Sequence, residues 1–251
     1  MPADGSRASG RRERCGRHRD LGDPNVGGSL GATGHRRFPY TGTFTIESGA
    51  HVTFAPGTVV KPPTKANTYS ATKGIIVKGT LIAEGTPEAP VIFTSIKDDT
   101  VGGDTDGVVA TPAAGDWGGV GFTDSGASGS VLAYTTVRYG GWYWAFNGYN
   151  TYGSVAVASG AAPSLHHLTV WKGSNVGMQL ADTALSASYL TVRYCSTGII
   201  IASGTPTIAD STLSNNSYYG AEVSGGSPTI RDSTLSSNGR CGVNAAGGSP
   251  V

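Results

Sequence analysis

Along the second half of the chain, short runs of alternating apolar and polar residues are cut by Gly, Pro, Ser, Asn and Asp. This is the pattern of short strands joined by turns. No window sustains the spacing of an amphipathic helix over three turns. The runs also keep a common phase. Gly198, Gly220 and Gly242 are 22 residues apart, and Pro206, Pro228 and Pro250 keep the same interval. Upstream units at 177–197 and 153–176 have 21 and 24 residues, so the period tolerates small insertions. Self-similarity of this length marks a solenoid, in which each repeat buries its apolar face against its neighbours.

Within the repeat, Met178 and Leu180, Ile199 and Ile201, and Ala221 and Val223 share one phase and are expected to point inward. Gln179, Ile200, Glu222 and Asn244 alternate with them and should point out. A second inward set is Leu165, Ala187, Ile208 and Ile230, and a third is Val137, Val170, Val192, Leu213 and Leu235. Three strands in about 22 residues predict an all-β parallel coil, with each strand bonded to its equivalent one turn on at ~4.8 Å. About seven coils are expected, beginning near residues 41, 74, 119, 153, 177, 198 and 220, with a fragment from 242. The last unit stops at SPV, in mid-coil. That predicts further coils or a partner over the open end, because solenoids cap their edges.

The segments APGTVVK (55–61), GTLIAEGTPEAPVIFTS (79–95), GGDTDG (102–107), GDWGGVGF (115–122) and VRYGG (137–141) occur in this order. On these segments the chain resembles the bacterial right-handed parallel β-helix repeat proteins, which have a pectate-lyase-like fold, in their secreted or surface-attached form. The resemblance spans roughly residues 40–251. It implies a right-handed parallel β-helix and an extracytoplasmic location, secreted or at the cell surface, and it implies no particular reaction.

Charge changes the picture only at the N-terminus. Lys and Arg total 18 against 17 Asp and Glu, so the near-neutral chain gives no reason to expect nucleic acid or an anionic membrane as partner. Residues 1–39 nonetheless hold eight Arg, no Lys and only four residues of the Ile, Leu, Val and Phe class. Such a head cannot build a core and is expected to be disordered, ahead of one β-helix domain at 40–251. It lacks the apolar stretch of a signal peptide. Its composition also fits translation from a wrong frame or start. No apolar run reaches the ~18 residues that span a bilayer, so membrane insertion is not expected. Cys15, Cys195 and Cys241 fit neither a metal spacing nor a disulfide framework. Cys195 and Cys241 fall two coils apart, too far to bridge.

Four groups of residues carry candidate chemistry. The acidic stretch with Asp98, Asp99, Asp104 and Asp106 could hold Ca2+, which takes several oxygen ligands from flexible loops, or could be a solvated turn. Alignment of TVRYG, TVWKG and TVRYC puts Arg138, Trp171 and Arg193 in one outward file and Tyr139, Lys172 and Tyr194 in the next. Such a stripe suits a polysaccharide or cell-surface glycan, with rings against pyranose faces and cations on carboxylates. The same side chains could also simply stack on one another. The insertion GGWYWAFNGYNTYG holds six of the 21 aromatic residues. Trp142 and Trp144 in it are either part of an open sugar platform or part of a flap folded onto the coil. The file Tyr134, His167, Tyr189, Asp210 and Asp232 is expected to serve turns.

A polysaccharide lyase or glycoside hydrolase remains the alternative, and a structural stalk or adhesin segment a third reading. The outward file Gln179, Ile200 and Glu222 offers neither an acidic triplet nor a basic partner. Asp116 with Arg138 or Arg193 is the one acid–base pairing that can be assembled. The oligomeric state is left open by the sequence.

Overall fold

The computed structural model describes residues 29–32, 35–37, 43–64 and 74–250. Eight strands, Phe44–Ile46, Ile75–Val77, Val120–Thr123, Gly153–Ala158, Val176–Leu180, Thr197–Ile201, Tyr219–Val223 and Cys241–Ala245, stack in chain order into one parallel sheet. The register follows the sequence period. Met178 pairs with Ile199, Ile199 with Ala221 and Ala221 with Val243, while Leu180, Ile201, Val223 and Ala245 form the companion file. Residues 178, 180, 199, 201, 221 and 223 are buried, whereas Gln179, Ile200 and Glu222 between them are half-exposed. Stacking like on like in this way buries each apolar row against the next coil.

A second, 13-stranded sheet carries the other two strands of each coil. It turns a corner within single strands. Val131–Arg138 pairs through residues 131–133 with Ile82–Glu84 and through 135–137 with Val91–Phe93, and Tyr134 between them is left out of both ladders. Tyr134 has φ 44°, as its equivalents His167 (50°), Tyr189 (52°), Asp210 (49°) and Asp232 (51°) have similar values. One left-handed residue per coil bends the chain through that corner. A second left-handed file, Tyr139, Lys172, Tyr194, Asn215 and Ser237, begins the turn that leads back to the first sheet. Non-glycine residues occupy this region at a steric cost, so its recurrence coil after coil is a property of the fold rather than a local accident.

The corners also bury polar groups, and Asn216, Ser211 and Thr183 among them are bonded to a neighbouring coil. Asn216 accepts from the Cys195 N–H at 3.0 Å, and its amide donates to the Val192 carbonyl and to Asn238 Oδ1. Ser211 accepts from the Leu190 N–H at 3.0 Å, and Thr183 donates to the Ala161 carbonyl at 2.6 Å. These side chains take up backbone groups that the turn frees from the ladder, which burial would otherwise leave unpaired.

One expectation is corrected. Part of the head that was expected to be disordered up to residue 39 forms strands Ser29–Ala32 and His35–Arg37, which pair in parallel with His51–Phe54 and Val59–Lys61. A strand can join a ladder through its backbone alone, so a count of apolar side chains misses it. The rest of the head, including Cys15, lies outside the described residues. Cys195 and Cys241 are free thiols, and burial pushes the Cys195 thiol up to about 12.

Candidate functional site

Between Phe93 and Trp117 the chain leaves the coil in a long loop, and two buried carboxylates tie it down. Asp98 accepts hydrogen bonds from Thr94 and from Thr100 (2.6 Å), and it is ion-paired with Arg138. Arg138 donates in turn to the same two threonines, at 3.2 and 3.1 Å, which closes the network. Burial raises the Asp98 carboxyl pKa, but the bonds from Thr100 and Thr94 and the Arg138 charge outweigh it and hold the group below the usual carboxylate range. Asp116 accepts from Ser95 (2.8 Å), from the Lys97 ammonium (2.9 Å) and from the Ala113 N–H (2.9 Å). Asp116 and Arg138 are therefore each engaged with another partner, and of the pairings of Asp116 with Arg138 or Arg193 that could be assembled from the sequence, the one with Arg138 does not form.

The acidic stretch encloses a lysine. Lys61 is buried and donates to the Gly103 carbonyl at 2.5 Å. Desolvation lowers its pKa, while Asp99, Asp98, Asp106 and Asp104 pull it back up. Asp104 accepts from the N–H groups of Asp106 and Gly107, and Asp106 from that of Val108, so both carboxylates order their own turn. Among the described residues no three His, Cys, Asp or Glu side chains come together in a group that could hold a metal ion. Asp98 thus serves Arg138, and Asp104 and Asp106 serve the loop backbone, while Asp99 Oδ1 is buried without a hydrogen-bond partner.

The outward stripe lies in the predicted register. Arg138 pairs with Trp171 and Trp171 with Arg193. The ring of Tyr139 meets Trp171 edge-on at 5.5 Å, the Lys172 ammonium lies 4.4 Å from the Trp171 centroid, and the Arg193 guanidinium lies 5.8 Å from that of Tyr194. The stripe nevertheless divides into two parts. Tyr139, 6% exposed, is covered by protein, and Arg138 is drawn inward by Asp98; neither is free to contact a ligand. Lys172, Arg193 and Tyr194 are exposed, and Trp171 is half-exposed. Neither Lys172 nor Arg193 has an ion-pair partner among the described residues. Nearer the last coil, Arg240 lies 4.5 Å from the ring of Tyr218.

The aromatic insertion is a hairpin. Trp144–Phe146 pairs antiparallel with Tyr149–Thr151 across Asn147 (φ 52°) and Gly148 (φ 74°). Two consecutive positive φ angles on Asn-Gly make the turn that matches the twist of a two-residue hairpin. The hairpin is folded down on the outer face of the first sheet. Trp144 and Phe146 pack there on Ala156, with Ile76 and Ala158 beside them. Trp144 is 0% exposed and donates to the Gly153 carbonyl at 3.2 Å. Of the two readings of the insertion, Trp144 follows the flap folded onto the coil, and its place among the sugar-binding residues is corrected, since a covered ring offers no face to a ligand. Trp142 stays half-exposed at the hairpin base, and Tyr152 is 43% exposed. A cleft of about 150 Å³ opens along the hairpin edge between Phe146, Thr151, Ala156, Ala158 and Gln179.

Residues 180–251 match the family model described as right handed beta helix region. Together with the parallel register of both sheets, this decides the architecture. The chain is a right-handed parallel β-helix. No curated protein and no solved structure matches it. Several residues that shape the surface of this β-helix escape a reading by repeat alone. Lys61 and the Asp98–Arg138 pair join segments far apart in sequence. The hairpin carried a legible signal, the Asn147–Gly148 dipeptide between two apolar-alternating triplets.

Proposed function

We propose that this β-helix is a binding module for an acidic polysaccharide, acting outside the cytoplasm, and that the chain lies along the ridge of Trp171, Lys172, Arg193 and Tyr194. The observation that carries this reading is the pair of unpaired cations, Lys172 and Arg193, each set beside an aromatic ring on an exposed corner. A solvated cation beside an aromatic face can bind a sugar carboxylate while the ring stacks on the apolar face of the pyranose. Successive coils present these groups ~4.8 Å apart along the axis, so a linear polymer meets them in series. Electrophoresis through gels containing polygalacturonate or neutral dextran tests the reading. Retardation in the first and not the second supports it; equal mobility in both contradicts it.

The engagement of Arg138 with Asp98, and of Asp116 with Lys97, favours binding over lyase chemistry at this corner, because both candidate groups are occupied.

A further inference from the structure

We propose that His166 and His167 form a two-nitrogen site for a divalent transition-metal ion, filled most tightly by Cu2+. The two imidazoles belong to strand Ser164–Trp171, where His166 pairs with Ala133 on one side and Ser188 on the other. His167 is the left-handed corner residue, and its φ of 50° turns its ring back towards its neighbour. The Nδ1 atoms of the two rings face each other at 3.2 Å. Among the described residues neither imidazole has another hydrogen-bond partner.

Adjacent residues on a regular strand send their side chains to opposite faces, so this convergence depends on the corner. The ring of His167 is held between those of Tyr134 and Tyr189, stacked at 4.3 and 4.6 Å with interplanar angles of 20°. The His166 ring stands nearly perpendicular to it, at 85°. Both orientations are therefore set before any ion arrives, which limits the ordering cost of binding.

The 3.2 Å separation lets one Nδ1–H donate to the other ring's lone pair, with the roles set by the tautomers. An ion can take the place of that proton. With metal–nitrogen bonds of about 2.0–2.1 Å, a nitrogen separation of 3.2 Å corresponds to an N–M–N angle of about 100°, between the square-planar and tetrahedral values. Imidazole donors suit Zn2+, Ni2+ and Cu2+, and the order of affinities puts Cu2+ first. Among the described residues no third donor of the His, Cys, Asp or Glu kind joins them. The remaining positions face solvent, since both histidines are half-exposed, and are filled by water or by an incoming ligand.

The test is a Cu2+ titration of the full chain by calorimetry, repeated with His166→Ala and His167→Asn; asparagine is chosen at 167 because it tolerates the left-handed backbone. The wild type is expected to take up one equivalent that both variants bind at least tenfold more weakly. Titrations that are the same for all three chains would place the copper on other histidines and overturn the proposal. A second measurement needs no variant. Modification of the wild type by diethyl pyrocarbonate, mapped by mass spectrometry, should slow at His166 and His167 and not at His51 when one equivalent of Zn2+ is present. Equal rates at His166 and His167 with and without the ion would equally overturn it.

Discussion

The carboxylate of Asp98 and the guanidinium of Arg138, 40 residues apart in sequence, form a buried ion pair closed on both sides by Thr94 and Thr100. This pair fastens the 94–117 loop to the corner of the coil. Removing the cation leaves an uncompensated buried charge. Arg138→Met is therefore expected to cost about 3 kcal/mol in a urea melt, because breaking one side of such a pair is far more damaging than never having built it. Loss of under about 0.5 kcal/mol would mean that water already serves Asp98.

The same pair makes a pH prediction. The folded-state pKa of Asp98 lies below its ordinary value of 3.8, so the stabilisation it brings is complete above that value and drains away as pH falls towards the folded-state pKa. The difference in melting temperature between wild type and Asp98→Asn should stay constant from pH 7 down to about 4 and narrow below it. A gap that narrows already between pH 7 and 5 would point to a different group.

The hairpin rests on glycines. A methyl group added at Gly121 would collide with the rings of Phe146 and Trp144. Gly121→Ala should lift the hairpin, cost about 1–3 kcal/mol as overpacking does, and red-shift the tryptophan emission as Trp144 is wetted. Unchanged emission would show that Trp144 keeps its buried seat.

Asn216 is 1% exposed and bonds to backbone of the preceding coil and to a side chain of the following one. Asn216→Ala leaves the Cys195 N–H and the Val192 carbonyl short of a partner and should cost about 2–3 kcal/mol. Ser217→Ala, next to it, exposed and outside the left-handed file, is the control and should change stability by under about 0.5 kcal/mol. Similar losses at both positions would remove the case for a ladder of buried amides.

The repeat made the coils legible because a solenoid writes its contacts into one period. Ile199 and Ile201 are buried for the same reason as Met178 and Leu180, and a phase comparison finds both. What the period could not show is where a side chain meets something outside its own file. Arg138 has the same phase as Trp171 and Arg193, yet Asp98 on an irregular loop withdraws it from the surface. Tyr139 shares the phase of Lys172 and Tyr194, but it is buried with its ring against Trp171. The strands at 29–37 escaped a composition argument because their pairing is carried by the backbone.

The polysaccharide ridge is the central claim, and equilibrium binding of polygalacturonate to the wild type and to the double variant Lys172→Ala/Arg193→Ala tests it most directly. Both side chains are exposed, so the double variant should melt with the wild type. Its dissociation constant should be at least tenfold higher, about 1.4 kcal/mol, and the salt dependence of binding should flatten as the two cations are lost. Equal affinity of the two proteins, with equal response to salt, would contradict the assignment of the ridge.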